Sequence, residues 1–223
     1  MAYVFDFTWL AEYWPLLVKG VRITLQLILI GGVLGVALGI ACAWVRALGP
    51  KALRVPVAIY VELIRNTPFM IQLFFIFFGL PALGLQMGEM TAAYIAMVVN
   101  LGAYGCEIIR AGIAATPRGQ FEAGASLAMT PFETFRHVVL VPSLQRIWPA
   151  LSSQIVIVML GSAVTSQIAV EDLTFAANFI QSRNFRAFET YLVSTALYLL
   201  LAIGLRQAMG LIGAAIFPKR SAR

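Results

Sequence analysis

Three groups of polar side chains interrupt an otherwise apolar sequence, and each is spaced so that it could handle a solute. Glu62 and Arg65 stand three residues apart, close enough to pair on one face of a helix, and Asn66, Thr67 and Pro68 follow directly. Pro68 removes a backbone donor and disfavours helical geometry at Thr67, so a helix running through this stretch should break there. Asn100, Tyr104 and Glu107 recur at helical spacing and share a face. Met159, Ser162, Thr165 and Ser166 form a milder polar stripe. A charge inside a bilayer costs about 2.5 kcal/mol or more on insertion scales, so such groups face a partner or a wet cavity. Backbone groups freed at a break must be satisfied by protein, water or solute, and broken helices often form solute sites near the midplane of a membrane. The competing reading is structural: Glu62–Arg65 as an ion pair, Asn100 as an interhelical hydrogen bonder, and the Ser and Thr residues as small packing positions. We favour the ion pair for Glu62 and solute contact for Arg65, Asn100 and Glu107.

Other chemistries find no residues to carry them. Cys42 and Cys106 lie inside apolar runs without a CxxC or a His/Cys cluster, so neither a disulfide framework nor a metal site is expected. His137 is the single histidine and sits beside Arg136 without a second ligand or a nucleophile. No Gly-x-x-x-x-Gly-Lys-Ser/Thr loop occurs, so the chain is not expected to bind or hydrolyse a nucleotide itself. No catalytic residue and no cofactor are assigned.

The elements that must position these groups are membrane helices. Of 223 residues, 61% are hydrophobic and only 12% charged, with a mean hydropathy of +0.87. A soluble domain carries about twice that share of charge. Five runs are long enough to span: Val21 to Val45, Val55 to Leu80, Thr91 to Ile113, Ile147 to Ala169, and Tyr191 to Ile216. The second is unusual because it contains Glu62, Arg65, Asn66 and Pro68. The net charge of +6 reflects basic loops rather than a nucleic-acid partner. One side collects Arg46, Lys51, Arg54, Arg110, Arg118, Arg136, Arg146, Lys219, Arg220 and Arg223. The other has Lys19, Arg22, Arg183 and Arg186, offset by Asp6, Glu12, Glu89, Glu171, Asp172 and Glu189. The richer side is expected to be cytoplasmic, which puts the N-terminus outside. Asp6 and Glu12 stand where a cleavable signal would be basic, so none is expected.

The expectation is one transmembrane domain over residues 1–223, all-α. Residues 1–18, with Trp9, Tyr13 and Trp14, read as an outer interfacial helix. Residues 114–141 form a cytoplasmic loop, and residues 170–189 an outer loop whose Leu173, Phe175, Phe179 and Ile180 indicate a short surface helix. Gly31 and Gly35 form a GxxxG pair suited to close helix packing. Within the cytoplasmic loop, Pro117 could start a helix that ends near Pro131, with Glu122 in its early turns. Ala123, Gly124, Ala125 and Ala128 would leave it thin enough for another protein to approach closely. An ordinary amphipathic connector is equally compatible with composition alone.

The run Gly119-Gln120-Phe121-Glu122-Ala123-Gly124-Ala125-Ser126-Leu127 resembles the Glu-Ala-Ala loop of ABC-importer permeases. Glu62-Leu-Ile-Arg65-Asn66-Thr67-Pro68-Phe-Met-Ile-Gln72 resembles a signature of the polar amino-acid permeases within that group, as does Gly102 through Ile113. Together the three cover most of the chain in the family's order. The chain departs from the pattern in three places. Gly124 and Ala128 stand where the family has Ala and Gly, and Ala128 disfavours a left-handed backbone. Pro142 arrives one residue late. The family's Lys-Asp/Asn-Thr-Ser-Leu run appears as Met159-Leu160-Gly161-Ser162-Ala163.

This resemblance implies a type I importer permease with five spans in a bacterial inner membrane. It implies a second permease subunit, identical or related, two ATPase subunits that hold the ATP and magnesium, and an external solute-binding protein. Gly119, Gln120, Glu122, Ala123, Gly124, Ala128 and Arg136 would couple to the ATPase. Arg65, Thr67, Asn100, Glu107, Met159, Ser162 and Thr165 would meet an amino acid, Arg65 clamping its carboxylate and Glu107 balancing its ammonium. An ion-driven carrier using Glu62 and Glu107 as proton sites is the alternative. It would lack inverted repeats and would have no use for the loop.

Overall fold

The computed structural model describes residues 3–217, so the basic residues Lys219, Arg220 and Arg223 lie outside the described part. The chain is built from helices that we number α1 (Trp9–Leu48), α2 (Lys51–Arg65), α3 (Phe69–Ala82), α4 (Glu89–Ala114), α5 (Arg118–Ser126), α6 (Pro131–Ile168), α7 (Leu173–Asn184) and α8 (Ala187–Ile216). Four of these, α1, α4, α6 and α8, are long and apolar enough to cross a membrane. The bent pair α2–α3 brings the count to five if taken as one span.

Glycine sets the central contact. Gly31, Gly35 and Gly39 of α1 face Met97, Leu101 and Gly105 of α4, each in steps of four, so the two helices run parallel along one seam. A Cβ on Gly35 would lie 2.8 Å from that of Leu101. The parallel arrangement requires the chain to return between them, and α2–α3 makes that return. Helix α6 runs back beside α4, with Gly112 against Ile147 and the Thr116 and Ser143 hydroxyls 3.0 Å apart. Helix α8 is fastened to α6 where the Trp148 indole donates to the Met209 carbonyl at 2.9 Å.

The second expected span is not straight. Its helix stops at Arg65, as Pro68 demands, and resumes at Phe69 bent by 113°. Among the described residues, no helix separate from α1 covers the segment 1–18 expected as an interfacial helix. Helix α1 is continuous from Trp9 and forty residues long, about 60 Å at 1.5 Å per residue. Pro15 removes only one backbone donor, and α7 packs alongside: Trp9 and Leu17 share a buried cluster with Leu173, Ala176 and Ile180. Gly20 permits this contact, because a Cβ there would lie 2.8 Å from Leu173 Cα.

Helix α7 occupies the expected 170–189 segment, although Leu173 and Ile180 are fully buried rather than resting on a surface. Asp172 caps it by accepting the Phe175 N–H at 2.8 Å. Burial pushes the Asp172 carboxyl up to about 7, partly opposed by that hydrogen bond. Residues 3–8 strap across the same end: the Arg186 guanidinium donates to the Val4 carbonyl at 3.1 Å and lies 3.9 Å from Asp6. Helix α5 lies at the opposite end of the bundle, beside the end of α4 and the start of α6.

Candidate functional site: a polar cavity and a thin outward helix

The break between α2 and α3 is held by side chains that replace the lost helical bonds. The Gln72 amide donates to the Ile64 and Thr67 carbonyls at 2.7 and 3.0 Å, and its oxygen accepts from Asn100 at 3.0 Å. The Thr67 hydroxyl donates to the Leu63 carbonyl at 2.7 Å. Asn100 therefore ties α4 to the broken helix, and the corner closes on itself.

Beside this corner lies a cavity of about 410 Å³ lined by Thr67, Pro68, Phe69, Asn100, Tyr104, Gln154, Ile157, Val158 and Gly161. Its size lies in the range of small-molecule sites. Three helices supply polar groups: Thr67 from the break, Asn100 and Tyr104 from α4, and Gln154 from α6. The Gln154 amide makes no hydrogen bond to another described residue. A larger apolar furrow of about 590 Å³, between α1, α6 and α8, offers nothing to orient a polar molecule.

Thr67 and Asn100, both expected at a solute site, line the cavity. Met159, Ser162 and Thr165 are not among the lining residues and are fully buried. The Ser162 hydroxyl donates to the Met159 carbonyl and Thr165 to that of Ser162, each at 2.7 Å. Beyond Gly161 the backbone tightens into a 3₁₀ helix over Ser162–Ile168. In that geometry residues three apart eclipse, so Met159, Ser162, Thr165 and Ile168 form one inward column. Gln154, Ile157 and Gly161, missed as lining residues, fall on a neighbouring face. Their spacing of three and four was the available signal.

Arg65 is outside the lining, two residues before Thr67 and beside Tyr104. It does not pair with Glu62 as expected, since Glu62 accepts from the Asn66 amide at 3.1 Å. The Arg65 guanidinium instead lies 4.0 Å from Glu107 and 5.8 Å from the centre of the Tyr104 ring. Glu107 is not free either: Arg110 grips both its oxygens, the closest contact at 2.8 Å, and Arg46 of α1 pairs with it directly. Three guanidiniums thus surround one carboxylate whose side chain is only 17% exposed, which leaves two positive charges in excess. Sequence spacing gives no sign that Arg46 belongs to this set, because its contact joins residues 61 apart.

The second candidate surface is α5. Thr130 and Glu133 form a reciprocal capping box at the start of α6 and fix Thr134, whose hydroxyl and methyl occupy the space above Gly124. A Cβ on Gly124 would lie 2.6 Å from Thr134 Oγ1. Gly124 is buried in this seat, while Gly119, Glu122, Ala123 and Ala128 are exposed, as is Arg136 on α6. Leu127 is 75% exposed at the tip. Gln120 keeps a buried side-chain oxygen with no donor among the described residues. Ala128 adopts the left-handed backbone that its Cβ disfavours, with φ of 55°.

The chain is similar to proteins already characterised. The L-cystine transport system permease protein TcyB of Bacillus subtilis is 35% identical over 173 residues, which cover 78% of this chain and 74% of that one. The glutamine transport system permease protein GlnP of Escherichia coli is 32% identical over 201 residues, covering 89% and 92%. A crystal structure of an amino acid ABC transporter with histidines superposes with a TM-score of 0.83 at 34% identity, covering 96% of this chain and 100% of that one. An inward-facing MetNI methionine ABC transporter shares the fold at TM-score 0.77 and 21% identity, covering 90% and 96%. The architecture is that of a type I ABC importer permease, as the loop and the Arg-Asn-Thr-Pro signature led us to expect. Residues 35–217 match one family model, and the chain belongs to that family, the binding-protein-dependent transport system inner membrane components.

Proposed function

We propose that the chain is the permease subunit through which an ATP-driven importer moves polar amino acids into a bacterial cell across its inner membrane. The α5 end faces the cytoplasm and the N-terminus lies outside, because the α5 end carries Arg46, Lys51, Arg54, Arg110, Arg118, Arg136 and Arg146. A second permease subunit, two ATPase subunits, an external solute-binding protein and surrounding lipid complete the machine. ATP and magnesium belong to the ATPase.

The observation that carries this reading is the seat of α5. A nine-residue helix is clamped to the membrane core through Gly124 and Thr134 while Gly119, Glu122 and Ala123 stand outward. Such a knob transmits displacement, because its base is tied to α6 and α6 lines the cavity through Gln154 and Gly161. In this mechanism, ATP closes the ATPase dimer and draws the two α5 helices together. The cavity then opens outward, and hydrolysis resets it. Coupling requires that ATP bind the two states unequally. Thr67, Asn100, Tyr104 and Gln154 contact the solute, and Arg65 holds its carboxylate by bidentate hydrogen bonds. Met159, Ser162 and Thr165 shape the wall from behind, and Glu107 positions Arg65 among the other guanidiniums.

The test is ATP-dependent uptake into vesicles carrying the assembled complex. Glu122→Lys and Ala123→Trp should abolish uptake and co-purification of the ATPase while the permease remains in the membrane. Wild-type uptake from both variants would overturn the proposal.

A further inference from the structure

The cavity contains no carboxylate. Its polar lining is a hydroxyl, a phenol and two carboxamides: Thr67, Tyr104, Asn100 and Gln154. Every one of these is uncharged, and the carboxamides can both donate and accept. Phe69, Ile157 and Val158 complete apolar walls. The acid closest to the lining in sequence on α4, Glu107, is already matched by Arg46 and Arg110, with Arg65 at 4.0 Å. Tyr104 connects the two regions, since its ring lies 5.8 Å from the Arg65 guanidinium and also lines the cavity. A solute in the cavity therefore meets an excess of positive charge at one end and only dipoles elsewhere. Glu62, the remaining acid of this region, is exposed on α2, bonded to Asn66, and outside the lining.

The α-ammonium that every amino acid carries keeps its own carboxylate beside it, but a further cation on the side chain would lose its hydration here and gain no counter-charge, which is the costly arrangement. An amide or hydroxyl side chain would exchange water for Gln154, Asn100 and Thr67 at little loss. Resting on the permease reading above, we propose that the site selects amino acids with uncharged polar side chains and rejects those with cationic ones. The rejection comes from a missing acid rather than from missing room. Gly161 lines the cavity, and a Cβ added there meets no atom within 4 Å. Its backbone is right-handed, with φ of −65°, so a Cβ is accommodated there without backbone strain.

The test measures binding to the purified permease–ATPase complex without the external binding protein, so that the receptor's own selectivity does not intervene. Labelled glutamine is the probe, with serine, asparagine, glutamate, lysine and arginine as competitors. Glutamine should bind saturably, asparagine and serine should compete, and lysine and arginine should not compete at a hundredfold excess. Gly161→Asp should raise competition by lysine and arginine about tenfold or more, the worth of one charge-assisted hydrogen bond. Co-elution with the ATPase shows that the variant is folded. Binding of lysine or arginine by the unaltered complex as tightly as glutamine would overturn this specificity, as would cation binding that Glu62→Gln removes. Preference for glutamate over glutamine would overturn it too. In all these cases ATP-driven uptake would still stand. If no amino acid bound the intact complex, this specificity would fall; if none moved once the external binding protein was restored, the permease reading itself would fall.

Discussion

Gly124→Ala separates a packing argument from a propensity argument, because the two give opposite signs. On propensity alone, alanine in a helix interior is favoured over glycine by about 1 kcal/mol. In the seat of α5, however, the new Cβ would lie 2.6 and 2.7 Å from the hydroxyl and γ-methyl of Thr134. Thr134 is buried on the first turn of α6, where the Thr130–Glu133 capping box holds the backbone. Overpacking of a fixed neighbour costs about 1–3 kcal/mol, so the variant should be destabilised locally by up to about 2 kcal/mol after the propensity gain. A loss of 1–2 kcal/mol corresponds to about a 5- to 30-fold change in the open population. Amide hydrogen exchange across Arg118–Ser126 should accelerate by that factor, with α1 and α4 unaffected. Thr134→Ala removes both close atoms and leaves only its Cβ, 3.2 Å away. Gly124→Ala with Thr134→Ala should therefore restore protection to that of Thr134→Ala alone or better, a coupling of about 1 kcal/mol or more. If Gly124→Ala by itself slowed exchange, or the two substitutions added without coupling, the seat would not be what anchors α5.

Further outcomes follow from other strained or charged positions. Ala128→Gly removes the left-handed penalty of about 1–2 kcal/mol but frees the unfolded chain by about 0.4–1, so thermal unfolding in detergent should show a gain of up to about 1.6 kcal/mol. Asp172 is raised in the folded state from 3.8 to about 7, so folding favours its protonated form. Its contribution is fully present below about pH 4, declines as pH rises towards 7 and is flat above. Asp172→Asn keeps a capping side chain, and it should flatten the melting temperature between pH 4 and 7 without altering the profile above pH 8. Glu107→Gln leaves Arg46 and Arg110 facing each other and should cost about 2 kcal/mol in thermal unfolding, partly recovered when Arg46→Leu is added.

The sequence exposed the parts of the fold that rest on local chemistry. The break before Pro68 follows from one ring and one missing donor. The close seam of α1 on α4 follows from glycines four apart. Neither the 113° bend nor the continuity of α1 through Pro15 was legible, since both depend on what packs from elsewhere: Gln72 with Asn100 in one case, α7 on Gly20 in the other. The substitutions at Gly124 and Ala128 read as isolated departures from a family pattern. In the fold, Gly124 is answered by Thr134, ten residues away, and Ala128 keeps the left-handed backbone despite its Cβ.

The placement of Ser162 and Thr165 away from the cavity has a geometric source. Counting faces at 3.6 residues per turn assumes the helix stays regular, and the chain abandons that period at Gly161. Tightening to three residues per turn carries Ser162 and Thr165 under Met159 and away from the cavity, so polar residues read as solute contacts become internal hydrogen bonders. The tightening also makes Gly161 the last residue of α6 on the cavity side, which leaves open space there and no side chain to fill it. Arg65 shows the converse effect. Its spacing from Glu62 implied a local pair, but the bend at Asn66 turns the end of α2 towards α4, where Glu107 already holds two arginines. A guanidinium added to a satisfied carboxylate keeps much of its charge for whatever enters next. The same bend that spoiled the local prediction therefore leaves a cation beside Tyr104, where the proposed site would receive the carboxylate of a zwitterion.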